Sequence, residues 1–145
     1  MKLKLIALLI IPLSIVSCTI SPQDIDYGYD GCHYCRMTVV DQQHAAQLVT
    51  KTGKAYHFDA AECLVMHLNE QPEAAEDGLV LVNHLEEPAV LIDATDATYL
   101  ISEKLPSPMG ANLNAFETLA GAEQAQGEFG GELFTWEALL AHFDN

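Results

Sequence analysis

Two thiols and a thioether fall between Cys32 and Met37, in the run Gly31-Cys32-His33-Tyr34-Cys35-Arg36-Met37. Thiolate and thioether sulfurs are soft donors, suited to a soft ion of low coordination number such as Cu(I). Zinc takes thiolate and imidazole and hardly uses thioether, and a zinc site here would want a second Cys-x-x-Cys, which the chain lacks. Cys35 and Met37 are two apart, so on a strand they would share a face and grip one ion together. A third soft donor must come from elsewhere, and Met109 is the best offer. It lies in Leu105-Pro106-Ser107-Pro108-Met109-Gly110, where two prolines and a glycine exclude regular structure and make a poor home for a core methionine.

Cys32 has competing uses. In thiol–disulfide oxidoreductases a Cys-x-x-Cys follows a buried strand and opens a helix whose positive end lowers a thiol pKa. Here it follows a Gly- and Asp-rich stretch and runs into Thr38-Val39-Val40, which favours strand. A Cys32–Cys35 structural disulfide is a further use. Cys63 falls in the first turns of an expected helix, where the dipole favours thiolate. A buried core role accounts for it better, free cysteine being among the most buried residue types. Cys63, His57 and His33 are auxiliary metal candidates; a surface or hydrogen-bonded role explains His57 better, and an exposed side chain explains His33 as readily. Met66 and Trp136 read as core, and His44, His67, His84 and His142 show no partner spacing.

The chain has 145 residues, half of them hydrophobic, the size and composition of one folded domain. Six basic residues face 21 acidic ones, for a formal charge of -15. Such a surface repels phosphates and argues against a nucleic-acid partner. No nucleophile motif, Walker loop or dinucleotide fingerprint is present, so the chain is read as a non-enzyme.

Residues 1–17 have the form of a secretory signal peptide: Lys2 and Lys4, the apolar run from Leu5 to Leu13, then Ile15-Val16-Ser17 before Cys18. A cysteine at that point looks like a bacterial lipobox, in which Cys18 is acylated and becomes the first mature residue. The expected product is lipid-anchored on the periplasmic side. Thr19, in place of the aspartate linked to inner-membrane retention, favours the outer membrane. From Cys18 onward the chain has 4 basic and 21 acidic residues, a formal charge of -17. Besides Cys18, three cysteines remain, so one thiol at least lacks a partner within the chain in an oxidising compartment.

Residues 18–30 read as a polar tether and 31–145 as the domain. Strands are expected at 37–40, 45–50 and 55–58. A helix from Asp59 to about Asn69 would be capped by Asp59, with Glu62 completing a capping box. Further strands are expected at 79–83, 89–92, 98–101, 112–116 and 132–134. Helices are expected from Glu117 to about Gln126 and, capped by Thr135, through Phe143. Gly53-Lys54, strand, cap and helix echo Gly130-Gly131, strand, cap and helix, which suggests two similar halves.

These residues resemble the NosL family, lipoprotein copper chaperones of nitrous oxide reductase maturation. The resemblance rests on Cys18, Cys32-His33-Tyr34-Cys35-Arg36-Met37, and Gly53 through Phe58-Asp59 to Cys63. It continues through Leu91-Ile92-Asp93-Ala94 with Ala97 and Tyr99, Ser107-Pro108-Met109-Gly110 with Ala115-Phe116, and Gly130-Gly131. It implies an α+β fold of two similar ββαβ halves, about 31–84 and 85–145, packed as one small domain around a single Cu(I) site. The implied ligands are Cys35, Met37 and Met109, and the implied partners are the assembly machinery of nitrous oxide reductase. The family usually carries glycine where this chain has Arg36, and Cys-Met where it has Cys63-Leu64. The alternative from the enzyme class is a lipid-anchored thiol–disulfide oxidoreductase using Cys32 and Cys35; a structural adaptor is a third reading.

Overall fold

The computed structural model describes residues 19–144. The expected signal peptide and Cys18 lie outside the described residues. The element order is β1 (Ala46–Val49), β2 (Ala55–Phe58), α1 (Ala61–Glu70), a 3-10 turn (Pro72–Ala75), β3 (Leu79–Asn83), β4 (Leu91–Asp93), β5 (Thr98–Ile101), β6 (Leu113–Phe116), α2 (Leu119–Phe129), β7 (Glu132–Phe134) and α3 (Trp136–His142). The strands form two antiparallel sheets, β2-β1-β3-β4 and β6-β5-β7.

The fold is α+β, built from two ββαβ halves. In each, the first strand is central, the second and third flank it, and the helix joins second to third. The equivalence pairs β2–α1 with β6–α2. The echo seen at Gly130-Gly131 instead precedes β7 and α3, so the sequence likeness and the topological repeat fall on different elements. Glycine at 131 has its own reason: φ is +108°, and a β-carbon there would run into the Ile101 carbonyl oxygen of the neighbouring strand.

The larger of two hydrophobic clusters among the described residues serves both halves; the smaller holds Leu100, Phe116, Ala122 and Ala125. Leu48, Phe58, Leu64 and Val82 pack in the larger with Tyr99, Leu113, Trp136 and Leu139. Helix α1 lies between β1–β2 of its own half and β6 and α3 of the other. Burying a side chain such as Leu64 contributes about 1.5–3 kcal/mol, so neither half is independent of the other's apolar face. Tyr99 donates its hydroxyl to the Ala94 carbonyl at 2.7 Å, which satisfies the one polar atom of a fully buried ring.

Strand β1 is buried along its whole length, Gln47 included. That glutamine exchanges hydrogen bonds with the Gln23 backbone, N–H to Oε1 at 2.9 Å and Nε2–H to O at 2.8 Å. Asn83 Nδ2 of β3 donates to the Tyr27 hydroxyl at 2.6 Å. The stretch expected as a polar tether is thus hydrogen-bonded to the first sheet at Gln23 and Tyr27.

Three expected elements come out differently. Residues 37–40 make no strand but a single bridge, Gly31 to Thr38. The chain from Cys32 to Arg36 closes a turn, Arg36 N–H to Cys32 O at 3.1 Å, and Arg36 takes φ +69°. That tight reversal overrides the β-propensity of Thr38-Val39-Val40. Cys35 and Met37 therefore do not share a strand face. Asp59 does not cap α1: the N-cap is Ala60, with no side-chain bond, and Glu62 completes no capping box. Both carboxylates are buried and spent on tertiary contacts. Helix α2 begins two residues later than expected, because Thr118 accepts from Gly121 N–H at 3.1 Å. Thr135 caps α3 as expected.

Candidate metal centre

The loop 31–38 is pinned at both ends of its turn. Cys32 N–H donates to Met37 O at 2.7 Å, and His33 N–H to His57 O on strand β2 at 2.8 Å. Asp59, just past β2, aims its backbone N–H at the Cys32 sulfur, and its carboxylate accepts from Val40 N–H. These bonds hold the loop over the start of α1. Cys63, third residue of that helix, is buried and faces it.

The result is a cluster of three thiols. The sulfurs of Cys32, Cys35 and Cys63 all lie within 4.8 Å of one another. None is in a disulfide. Cys32 is 1% exposed and Cys63 fully buried, while Cys35 is half-buried and forms the outer member. Among the described residues this is the one grouping of three or more such side chains placed to share a metal ion.

The three sulfurs are electrically unequal. Cys32 is pulled down to about 4, chiefly because the Cys63 thiol donates to it; burial opposes this, and the amides of Asp59 and Cys35 add to it. The Cys35 amide lies 3.4 Å from the Cys32 sulfur. Cys63 is pushed up, since ionising would cost its bond to Cys32 and bury a second charge. Cys35 is raised mainly by burial. Cys32 is thus the sulfur of the three that most readily carries negative charge, and thiolate is the form in which cysteine sulfur binds a soft metal ion.

The surroundings are aromatic. The His33 ring packs on Tyr56 at 4.3 Å between centroids and on His67 at 5.2 Å, and His67 packs on Phe58 at 5.4 Å. Burial lowers the pKa of both histidines. His57 turns the other way, its Nδ1 2.7 Å from the Asp30 carboxylate. His33 thus lines the surroundings of the cluster, and neither histidine joins the thiols.

The two thioethers come from different parts of the chain, Met37 from the loop that carries Cys32 and Cys35 and Met109 from the second half. Met37 is 57% exposed, although its backbone N–H is directed at the Cys35 sulfur. Met109 is partly buried against the main core. Its loop is closed by Gly110 N–H to Ser107 O at 3.0 Å, and the Ser107 hydroxyl donates to the buried carboxylate of Glu62, the residue before Cys63. The Pro-Met-Gly loop is therefore fastened to the same end of α1 that carries the third thiol. Asp59, Glu62, Tyr34 and His67 have positions here that no linear motif announces. The one available signal was helical spacing, which sets Met66 and His67 one turn beyond Cys63.

Fold and site together define a small α+β protein that holds a buried cluster of free thiols at the junction of a loop and a helix. The NosL family model matches residues 25–142, and the chain belongs to that family. It is 33% identical over 119 residues to the copper-binding lipoprotein NosL of Stutzerimonas stutzeri. The match covers 76% of this chain and 62% of that relative, so less than two thirds of the relative's length is spanned. The fold matches the crystal structure of the copper chaperone NosL from Shewanella denitrificans with a TM-score of 0.69. That match has 24% identity and covers 82% of this chain and 95% of the other.

Proposed function

We propose that this protein is a membrane-anchored, non-enzymatic Cu(I) carrier that delivers copper for assembly of nitrous oxide reductase. The observation that carries the reading is the convergence of Cys32, Cys35 and Cys63 within 4.8 Å. Three soft sulfur donors suit a soft ion of low coordination number, and the described cluster has no fourth protein ligand of the kind a closed zinc site requires. The relatives' names, a copper-binding lipoprotein and a copper chaperone, support the cargo. Cys32, Cys35 and Cys63 are the core ligands. Met37 and Met109 are the thioethers that complete the set or exchange with it, and His33 and His57 are not needed. Cys18 carries the lipid. Half-buried Cys35 is the sulfur a partner's donor replaces first.

The oxidoreductase alternative is disfavoured by access. The low-pKa thiol, Cys32, is sealed from solvent, whereas an attacking thiolate must reach a partner disulfide.

Titrating the reduced protein with Cu(I) against a competing chelator tests the reading. One ion per chain is expected. Cys35→Ser and Cys63→Ser should each weaken binding by about a hundredfold or more, and Met37→Leu and Met109→Leu by about tenfold. No uptake by the native protein, or full affinity in both cysteine variants, refutes it.

A further inference from the structure

Met66 stands apart from the helix that carries it. Leu64, Val65, His67 and Leu68 around it are buried, yet Met66 is half-exposed and lies outside both core clusters. It walls a cleft of about 280 Å³ together with Tyr34, Asn69, Glu70, Phe143 and Asp144. Tyr34 lies between the two loop cysteines, and its hydroxyl donates to Glu70 Oε1 at 2.9 Å. Met66 follows Cys63 by three residues in α1. Residues so spaced are neighbours on one helix face, with β-carbons about 5–6 Å apart. The cleft is therefore walled by both elements that carry the thiols, through Tyr34 next to Cys35 in the loop and through Met66 one turn beyond Cys63 on α1. Its exposed carboxylates, Glu70 and Asp144, favour a cation, and its one sulfur is soft.

We infer that Met66 is a transfer position for Cu(I), distinct from the three-thiol site and placed on the α1 side of it; this rests on the copper-carrier reading above. In the handover step the Cu–S bond to Cys63 breaks as a Cu–S bond to the Met66 thioether forms. Cys63 gives its proton to solvent when it binds the ion and takes one proton back from solvent as the ion leaves, so the exchange balances. The ion stays monovalent and no electron moves. A neutral thioether binds more weakly than a thiolate, so the position is traversed rather than filled, and the nearby carboxylates offset the positive charge that the thioether leaves unneutralised.

Two measurements on the full-length protein in detergent test this. The first follows the methionine methyl carbons by NMR during titration with Ag(I), a redox-inert soft monovalent probe. Beyond one equivalent the Met66 methyl signal should move; if it stays fixed at excess Ag(I), the inference falls without any variant having to fold. The second is stopped-flow transfer of Cu(I) to a chelator. Met66→Leu should slow transfer by about tenfold while changing equilibrium affinity by less than about threefold. An unchanged rate overturns the inference, and so does an affinity loss as large as that of Cys63→Ser, which would make Met66 a resident ligand. A native protein that takes up no Cu(I) at all sinks the carrier reading itself, an outcome distinct from either.

Discussion

Arg36 occupies the left-handed region, at φ +69°, directly after Cys35. A residue with a β-carbon pays about 1–2 kcal/mol for that conformation, and glycine pays none. The turn that brings Cys35 back toward Cys32 needs it, and a glycine at this position would adopt it without strain. Arg36→Gly should raise stability by about 0.5–1 kcal/mol, the gain being trimmed by glycine's larger unfolded-state entropy. Urea unfolding would show a higher midpoint at unchanged slope, with Cu(I) affinity retained. The residue types were legible at this scale: Cys32, Cys35 and Met37 declare soft-donor chemistry on their own. Cys63 did not declare itself, because a lone cysteine in an apolar helix looks the same whether it packs or binds. Only its neighbours across the core distinguish the two.

At the scale of elements, the decisive contact is the latch between α1 and the Pro-Met-Gly loop. Glu62 is buried, its pKa raised chiefly by burial, and it accepts from the Ser107 hydroxyl and the Ala111 N–H. Its Oε2 has no hydrogen-bond partner among the described residues. Ser107→Ala should cost about 1–3 kcal/mol by stripping a buried carboxylate of a donor. The amides of Gly110 and Leu113 should also exchange faster, since both bond to Ser107. Glu62→Gln keeps an acceptor and removes the charge, so it should be as stable as the native protein at neutral pH, or more so. Equal exchange rates in the serine variant would show that the loop holds without its latch. Elements governed by local rules were readable: Thr135 caps α3, and Gly53, at φ +83°, turns β1 into β2. Elements governed by distant partners were not. Asp59 has the sequence of a helix cap, but its carboxylate accepts from Val40 N–H instead of from the first turn of α1.

Across the whole molecule, the two halves share one core, and α1 is the piece they share. His67 lies in it, buried, with its pKa lowered by that burial. The unfolded chain then binds the proton more readily than the folded one. Its contribution to stability is full above the ordinary histidine value of about 6.5 and is lost as pH falls below it, by at most about 1.4 kcal/mol per pH unit for one proton. Glu62 and Asp59, with raised values, act in the opposite sense: their contribution is present at acid pH and lost as pH rises through their folded-state values. Denaturant melts at pH 7.5 and 5.5 should show a smaller acid loss in His67→Phe than in the native protein; an identical loss would place the titration elsewhere. By itself the sequence determined the donor types, the acidic surface, the expected lipid anchor and most strand and helix positions, because each depends on composition or on neighbours a few residues away. Tertiary structure alone decided which sulfurs meet. Cys32 and Cys63 are thirty-one residues apart along the chain, and their approach follows from packing the loop and α1 against one core, a long-range outcome that no local spacing encodes.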